Sequence, residues 1–261
     1  MAKTIAIAGK GGTGKTMVAA LLTDYLVHHG HGPVLAIDAD PSTNLDLTLG
    51  TCIEQTVGGI REEALQKVSA GTLMAGISKH DYLELRVNQA LVEEKGFDLL
   101  AMGRREGPGC YCAANSMLRL CIDRLAESYR YLVIDNEAGL EHLSRRTTRN
   151  VDLLLVVSDP TMRGLATAAR VGRLIRELRT HVGDISLIIN RVATNQQGET
   201  VLAPQFEQFI RDEQLELAGV IPSDPLVSEY DAIGRPLVDL PAQTPARRAL
   251  KASFDSLPGL L

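Results

Sequence analysis

The sequence contains no apolar stretch of about 18 residues, so no membrane-spanning helix is expected. It has no run of like charges, and its net charge of −5 argues against an electrostatic footprint for nucleic acid. Cysteine is scarce. Four cysteines in 261 residues do not make a disulfide framework, which leaves metal ligands or inert core thiols. The first residues run straight into a strand and lack the layout of a secretory signal, so a cytoplasmic location is expected. Internal repeats and low-complexity segments are also missing. What is present is an apolar fraction of 45%, ample for one large α/β core, and a single domain over residues 1–261 is expected.

The strongest pattern lies at the start. Strand-like Thr4–Ala8 runs into Gly9-Lys10-Gly11-Gly12-Thr13-Gly14-Lys15-Thr16, and a helical stretch follows from about Met17 to His29. A glycine, four spacers, Gly-Lys and Thr form a phosphate-binding loop. Glycines let backbone N–H groups close on phosphate oxygens, and the following helix aims its N-terminus at the same anion. Lys15 would reach the outer phosphates and the Thr16 hydroxyl would ligate Mg²⁺. Val18, Ala19, Leu21, Leu22, Tyr25 and Leu26 repeat at helical spacing, so the loop joins a buried strand to an amphipathic helix. Lys10 is not needed to cradle phosphate within one chain. The loop resembles the deviant Walker A loop of the ATPases that include nitrogenase iron protein, MinD and ParA. That resemblance implies ATP-dependent homodimerisation, with Lys10 crossing to the partner's nucleotide.

Further along, short apolar strands alternate with helices. Val34–Ile37, Leu99–Met102, Tyr131–Ile134, Leu153–Val157, Ile185–Ile189 and Leu217–Ile221 read as strands. About 114–128, Leu165–Leu178 and Pro204–Asp212 read as helices between them. The class is α/β: a doubly wound, mostly parallel sheet covered on both faces, with ligands expected at the carboxyl ends of the strands. Residues 51–98 read as an elaboration with helices at Ile60–Lys67 and roughly Tyr82–Glu94, and without a strong strand signal. His28, His29 and His31 read as a solvated helix end rather than a metal tract.

Polar residues gather after the strands. Asp38 and Asp40 lie two apart, so one or both carboxylates can face the Mg²⁺ and γ-phosphate. Ser42 suits a helix cap from Asn44 onward better than Asp40 does. The resembled class assigns the aspartate matching Asp40 to the attacking water and the Mg²⁺ shell. Asp135 follows Tyr-Leu-Val-Ile, the strand-then-acid pattern that holds Mg²⁺ in P-loop enzymes. Asn136–Arg146 would be a switch, with Gly139 offering an N–H near the γ-phosphate. Asn190, with Arg191 beside it, matches the adenine-reading asparagine of the class. Pro222 and Asp224 fall where it places further base contacts. Gly11, Gly12, Thr13, Gly14, Lys15, Thr16 and Met17 complete the expected nucleotide site.

Cys110-Tyr111-Cys112 supplies two thiolates, half of a tetrahedral site. A two-fold dimer would bring four together for Zn²⁺ or Ni²⁺, while two structural thiols beside a Gly-Pro-Gly turn remain the alternative. Cys52 and Cys121 read as small buried hydrophobes. Asp38–Pro41, Pro108–Asn115 and Asp135–Thr147 together resemble the CooC-type nickel-maturation ATPases. The resemblance implies an ATPase that hydrolyses ATP to ADP with Lys10, Lys15, Asp40 and Asp135 in its machinery. It further implies nickel insertion into apo carbon monoxide dehydrogenase or acetyl-CoA synthase. Two rivals stay open. An electron-transfer iron protein needs a cysteine after the Walker B aspartate, and none lies between Asp135 and Thr147. A positioning ATPase of the MinD/ParA type would use a basic amphipathic helix on a membrane. Ala246–Leu257 hints at one, but docking on the chain's own core is the expectation there.

Overall fold

Strands, the central ones buried on both faces, fill the middle of the molecule. In the computed structural model, which describes residues 2–71, 78–103, 120, 122–137, 150–177 and 181–260, these strands form one eight-stranded sheet. They are β1 Lys3–Gly9, β2 Val34–Asp38, β3 Val92–Glu94, β4 Phe97–Ala101, β5 Tyr131–Asp135, β6 Asn150–Ser158, β7 His181–Val192 and β8 Glu216–Pro222. The order is β3-β4-β2-β5-β1-β6-β7-β8, parallel throughout except for β3. β1 lies between β5 and β6, pairing Ile7 with both Asp135 and Leu155. That register brings the loop after β1 beside the end of β5.

Alternation along β1 assigns the two faces. Ile5 and Ile7 enter a cluster with α1 (Lys15–His28), α2 (Leu45–Leu49) and the C-terminal helix, whereas Ala6 and Ala8 face the opposite layer. The opposite layer has two parts. α3 (Val57–Ser69) and α4 (Lys79–Gln89), with a helical turn at 122–126, cover β2, β4 and β5. α5 (Met162–Glu177) and α6 (Pro204–Asp212) cover β6 and β7. The doubly wound reading therefore holds.

The segment 51–98 departs from its sequence reading. The second helix ends at Gln89, and Val92–Glu94 turns back as an antiparallel edge strand on β4. Three residues carrying two glutamates give too short a signal, and pairing with Phe97–Leu99 decides the matter. The side chains of Thr56 and Ser78 cap α3 and α4 by accepting N–H bonds from Gly59 and Asp81. Cys52 is exposed, contrary to expectation, because it follows the Gly50 turn outside the core.

The chain's last turns return to α1. α7 (Pro225–Ala232) leads through a 3-10 turn at Leu237–Asp239 to α8 (Pro245–Ser256). Ala246, Leu250 and Phe254 are buried against the α1 side of the core. The Tyr25 hydroxyl donates to Asp255 at 2.7 Å, and Arg247 pairs with Asp24 at 2.5 Å. The apolar face of α8 is thus spent on the fold, as expected.

Candidate nucleotide site

The loop after β1 is shaped by what its glycines exclude. Gly9 has φ 149°, and a Cβ there would lie 2.2 Å from the Val157 carbonyl oxygen. Gly14 has φ 95°, and its Cβ would lie 2.3 Å from Asn190 Nδ2. The Lys10 carbonyl gathers the loop by accepting the Thr13 hydroxyl at 2.9 Å and Lys15 Nζ at 3.4 Å. α1 begins without a capping side chain and without an acidic residue in its first turn. Its free N–H groups and dipole remain available to an anion.

Thr16 and Asp135 meet under this loop. The Thr16 hydroxyl donates to Asp135 Oδ2 at 2.6 Å, while buried Asp135 Oδ1 has no partner. Burial raises the Asp135 carboxyl to about 7, and Asp38 and Asp40 add to this against the pull of Thr16 and Lys15. A buried oxygen without a donor, next to a hydroxyl oxygen and two further carboxylates, fits a hard divalent cation such as Mg²⁺. Thr16 and Asp135 would hold it, and it would supply charge neutralisation at bound phosphate.

Asp38 and Asp40 separate in role. Asp38 is fully buried and accepts N–H bonds from Asp40, Asn44 and Leu45 at 2.9–3.0 Å. Burial pushes its carboxyl upward against those three bonds. Asp38 rather than Ser42 thus supports the start of α2, and only Asp40 of the two carboxylates lines the cleft. Asp40 Oδ1 accepts the Ser42 N–H at 2.8 Å.

The far wall of the cleft comes from β7 and β8. Asn190 Nδ2 donates to the Thr13 carbonyl at 2.8 Å, and its Oδ1 accepts the Arg191 N–H at 2.9 Å. One N–H and one lone pair of that amide remain for a base edge. Arg191 takes φ 61° where the β7–β8 register slips, and its guanidinium donates to the Gly12 carbonyl at 2.9 Å. A left-handed arginine at a strand bulge is strain held by the loop contact. Asp224 is committed elsewhere. Its two oxygens accept the Leu226 and Ala246 N–H groups, joining the first turns of α7 and α8, so its carboxylate serves the fold first.

Gly11, Gly12, Gly14, Lys15, Thr16, Met17, Asp40, Asn190, Arg191, Pro222 and Asp224 line one cleft of about 490 Å³. Sequence reading missed Asn44, Thr48, Ser228, Asp231 and Arg235 in its wall. Their only signal was proximity to the ends of β2 and β8. Lys10 does not join them. Its exposed side chain lies in a separate groove with Arg163, Thr167 and Arg170. Cys110, Cys112, Cys121 and switch residues 138–146 lie outside the described residues. His28 and His29 bond the Asp24 and Tyr25 carbonyls. They form no metal cluster among the described residues.

The loop, the Thr16–Asp135 pair and the strand order define a P-loop nucleotide-binding fold. The septum site-determining protein MinD of Pyrococcus horikoshii, solved with Mg-ADP, superposes with a TM-score of 0.69 at 23% identity. That match covers 100% of this chain and 97% of the other. Residues 4–237 match the model of the CobQ/CobB/MinD/ParA nucleotide binding domain, and the chain belongs to that family. ATP hydrolysis is the activity expected of such a member. The chain is 45% identical over 241 residues to an uncharacterised ATP-binding protein of Methanocaldococcus jannaschii, covering 91% of each. It is 35% identical over 268 residues to the carbon monoxide dehydrogenase accessory protein CooC of Rhodospirillum rubrum, covering 96% of this chain and 95% of that protein.

Proposed function

We propose that the chain is a single-domain, Mg²⁺-dependent ATPase that dimerises on ATP and assists nickel insertion into carbon monoxide dehydrogenase or acetyl-CoA synthase in the cytoplasm. The observation that carries the ATPase part is the Thr16–Asp135 pair, with Asp135 Oδ1 unpartnered beneath the phosphate loop. Asp40, the carboxylate left in the cleft, orients the attacking water. Lys15 stabilises charge on the phosphates. Asn190 reads adenine with its spare donor and acceptor, beside Arg191 and Pro222. The exposed Lys10, turned away from its own cleft, serves a second copy of the chain.

The nickel part is supported by the likeness to the accessory protein and by the Cys110-Tyr111-Cys112 spacing. Two thiolates per chain would close a four-coordinate site for Ni²⁺ or Zn²⁺ across a dimer axis. The positioning reading, supported by MinD relatives at 25–29% identity, would need a membrane-binding element other than α8. α8 buries its apolar face, and no helix among the described residues is long and apolar enough to cross a membrane.

The test is metal titration of the whole chain and of Cys110→Ser/Cys112→Ser under reducing conditions, with and without ATP, while mass is followed. One soft metal per dimer, lost in the double variant and tightened by ATP, is the expected result. Unchanged affinity in the double variant would remove the nickel reading and leave the ATPase reading standing.

A further inference from the structure

A second set of metal-ligating side chains stands on α4, away from the cleft. His80, Asp81 and Glu84 place one ligand atom each within 4.8 Å of one another. His80 Nδ1 lies 3.5 Å from Glu84 Oε2 and 3.7 Å from Asp81 Oδ1. A first-row ion with ligands at about 2.1 Å sets ligand–ligand edges of roughly 3.0 Å in octahedral and 3.4 Å in tetrahedral geometry. Two of the three edges therefore need shifts of only tenths of an ångström. The Asp81–Glu84 edge needs a rotamer adjustment, which half-exposed side chains at a helix surface have available.

We propose that His80, Asp81 and Glu84 form an exchangeable site for a divalent first-row transition metal ion, separate from Cys110 and Cys112. One imidazole and two carboxylates suit Ni²⁺, Zn²⁺ or Co²⁺, and three protein ligands leave the other positions to water. Such a site loads and releases metal, unlike a closed thiolate site. The spacing comes from the helix: residues 80 and 84 lie one turn apart on one face, and residue 81 lies beside them. Asp81 is already oriented, because the Ser78 hydroxyl donates to its Oδ2 at 2.7 Å and leaves Oδ1 toward His80. The positive end of α4 opposes a cation with about half a charge, against two carboxylates.

The site also touches the segment that follows the paired cysteines in sequence. Arg124 donates to Glu84 Oε2 at 3.3 Å, the same oxygen that faces His80. Arg124 belongs to the helical turn at 122–126, whose Ile122, Leu125 and Ala126 pack with α3 and α4. Glu84 Oε2 cannot serve the guanidinium and a metal at full strength together. Metal on α4 therefore releases Arg124, and Arg124 competes with metal.

The test uses the full chain carrying Cys110→Ser/Cys112→Ser, titrated with Co²⁺ in excess Mg²⁺ to fill the Thr16–Asp135 site. Equilibrium dialysis gives stoichiometry, and absorption gives ligand type. One Co²⁺ per chain is expected, with weak ligand-field bands and without thiolate charge transfer. Adding His80→Ala or Glu84→Gln should abolish it, with Tm lowered by no more than about 2–4 °C because both side chains are partly exposed. Adding Arg124→Ala should tighten Co²⁺ by up to about fivefold, the value of an exposed ion pair. Co²⁺ binding that survives His80→Ala, or that weakens in Arg124→Ala, would overturn the proposal.

Discussion

The Asp40 backbone N–H donates to Asp38 Oδ1 at 3.0 Å, so the buried aspartate holds in place the one that lines the cleft. The two carboxylates therefore fail in different ways. Asp40→Ala should leave folding and ATP binding largely intact and abolish turnover. Asp38→Ala strips an acceptor from three N–H groups, at a cost of roughly 2–4 kcal/mol, and should lower turnover through a misplaced Asp40. Thermal melting beside ATPase assays separates them. Parent-rate hydrolysis by Asp40→Ala would show that its role is wrongly assigned.

Asp135→Asn should trade activity for stability. Burial holds this carboxyl near pH 7, so its ionised form is a liability in the nucleotide-free protein. Removing the charge should raise nucleotide-free stability by at least ~1 kcal/mol, or about 2–4 °C in Tm for a chain of this size. Mg²⁺-dependent hydrolysis should fall sharply. A lower Tm in the variant would contradict the burial argument.

Lys10→Ala should leave the nucleotide-free melting curve unchanged, because the side chain is exposed, and should weaken the ATP-linked dimer. Light scattering in the Asp40→Ala background, where ATP persists, reads this directly. A parent that stays monomeric in every nucleotide state would sink the cross-protomer role.

Asn190→Ala should weaken ATP binding more than binding of inorganic phosphate analogues. It also takes a donor from the Thr13 carbonyl, for a stability loss of about 1 kcal/mol. Titration of ATP and GTP into the parent supplies the control. Equal affinity for the two would count against adenine readout.

Glu63 gives a pH signature on the opposite layer. Lys67 first, then Arg86 and Tyr82, lower its carboxyl to about 2. The folded pKa is depressed, so its stabilisation is present above the ordinary glutamate pKa and is lost as pH falls through about 2. Glu63→Gln should cost about 0.5–1 kcal/mol at pH 7, since these ion pairs are partly exposed, and progressively less as pH falls toward and below about 2. Denaturant titrations of both proteins across that range measure it. A pH-independent difference would assign the effect to packing.

Much of the fold was legible because burial and periodicity agree. A strand buried on both faces, such as Val34–Asp38, reads as an apolar run whatever packs on it. The phosphate loop was legible because its backbone geometry demands glycine at fixed spacing. The division of labour between Asp38 and Asp40 was not, since it depends on where Asn44 and Leu45 turn back. The second tie of Asp224, which lines the cleft as its place after β8 suggested, was hidden for the same reason: its partner Ala246 is distant in sequence. The His80 cluster sat in a segment without a motif, and only the one-turn spacing of His80 and Glu84 hinted at it.

The hold of Asp224 on two helices sets a rule for anyone rebuilding this chain. The family's shared portion stops at residue 237, a natural place to trim or fuse. A cut there would discard the Ala246 N–H that Asp224 accepts, the Arg247 that grips Asp24, and the Phe254 ring packed near Tyr25. It would also bare Ser253's seat beside Gly219, where a Cβ would have only 1.8 Å of room. Reporter fusions therefore belong beyond α8, because the nucleotide cleft and the tail are one piece of carpentry.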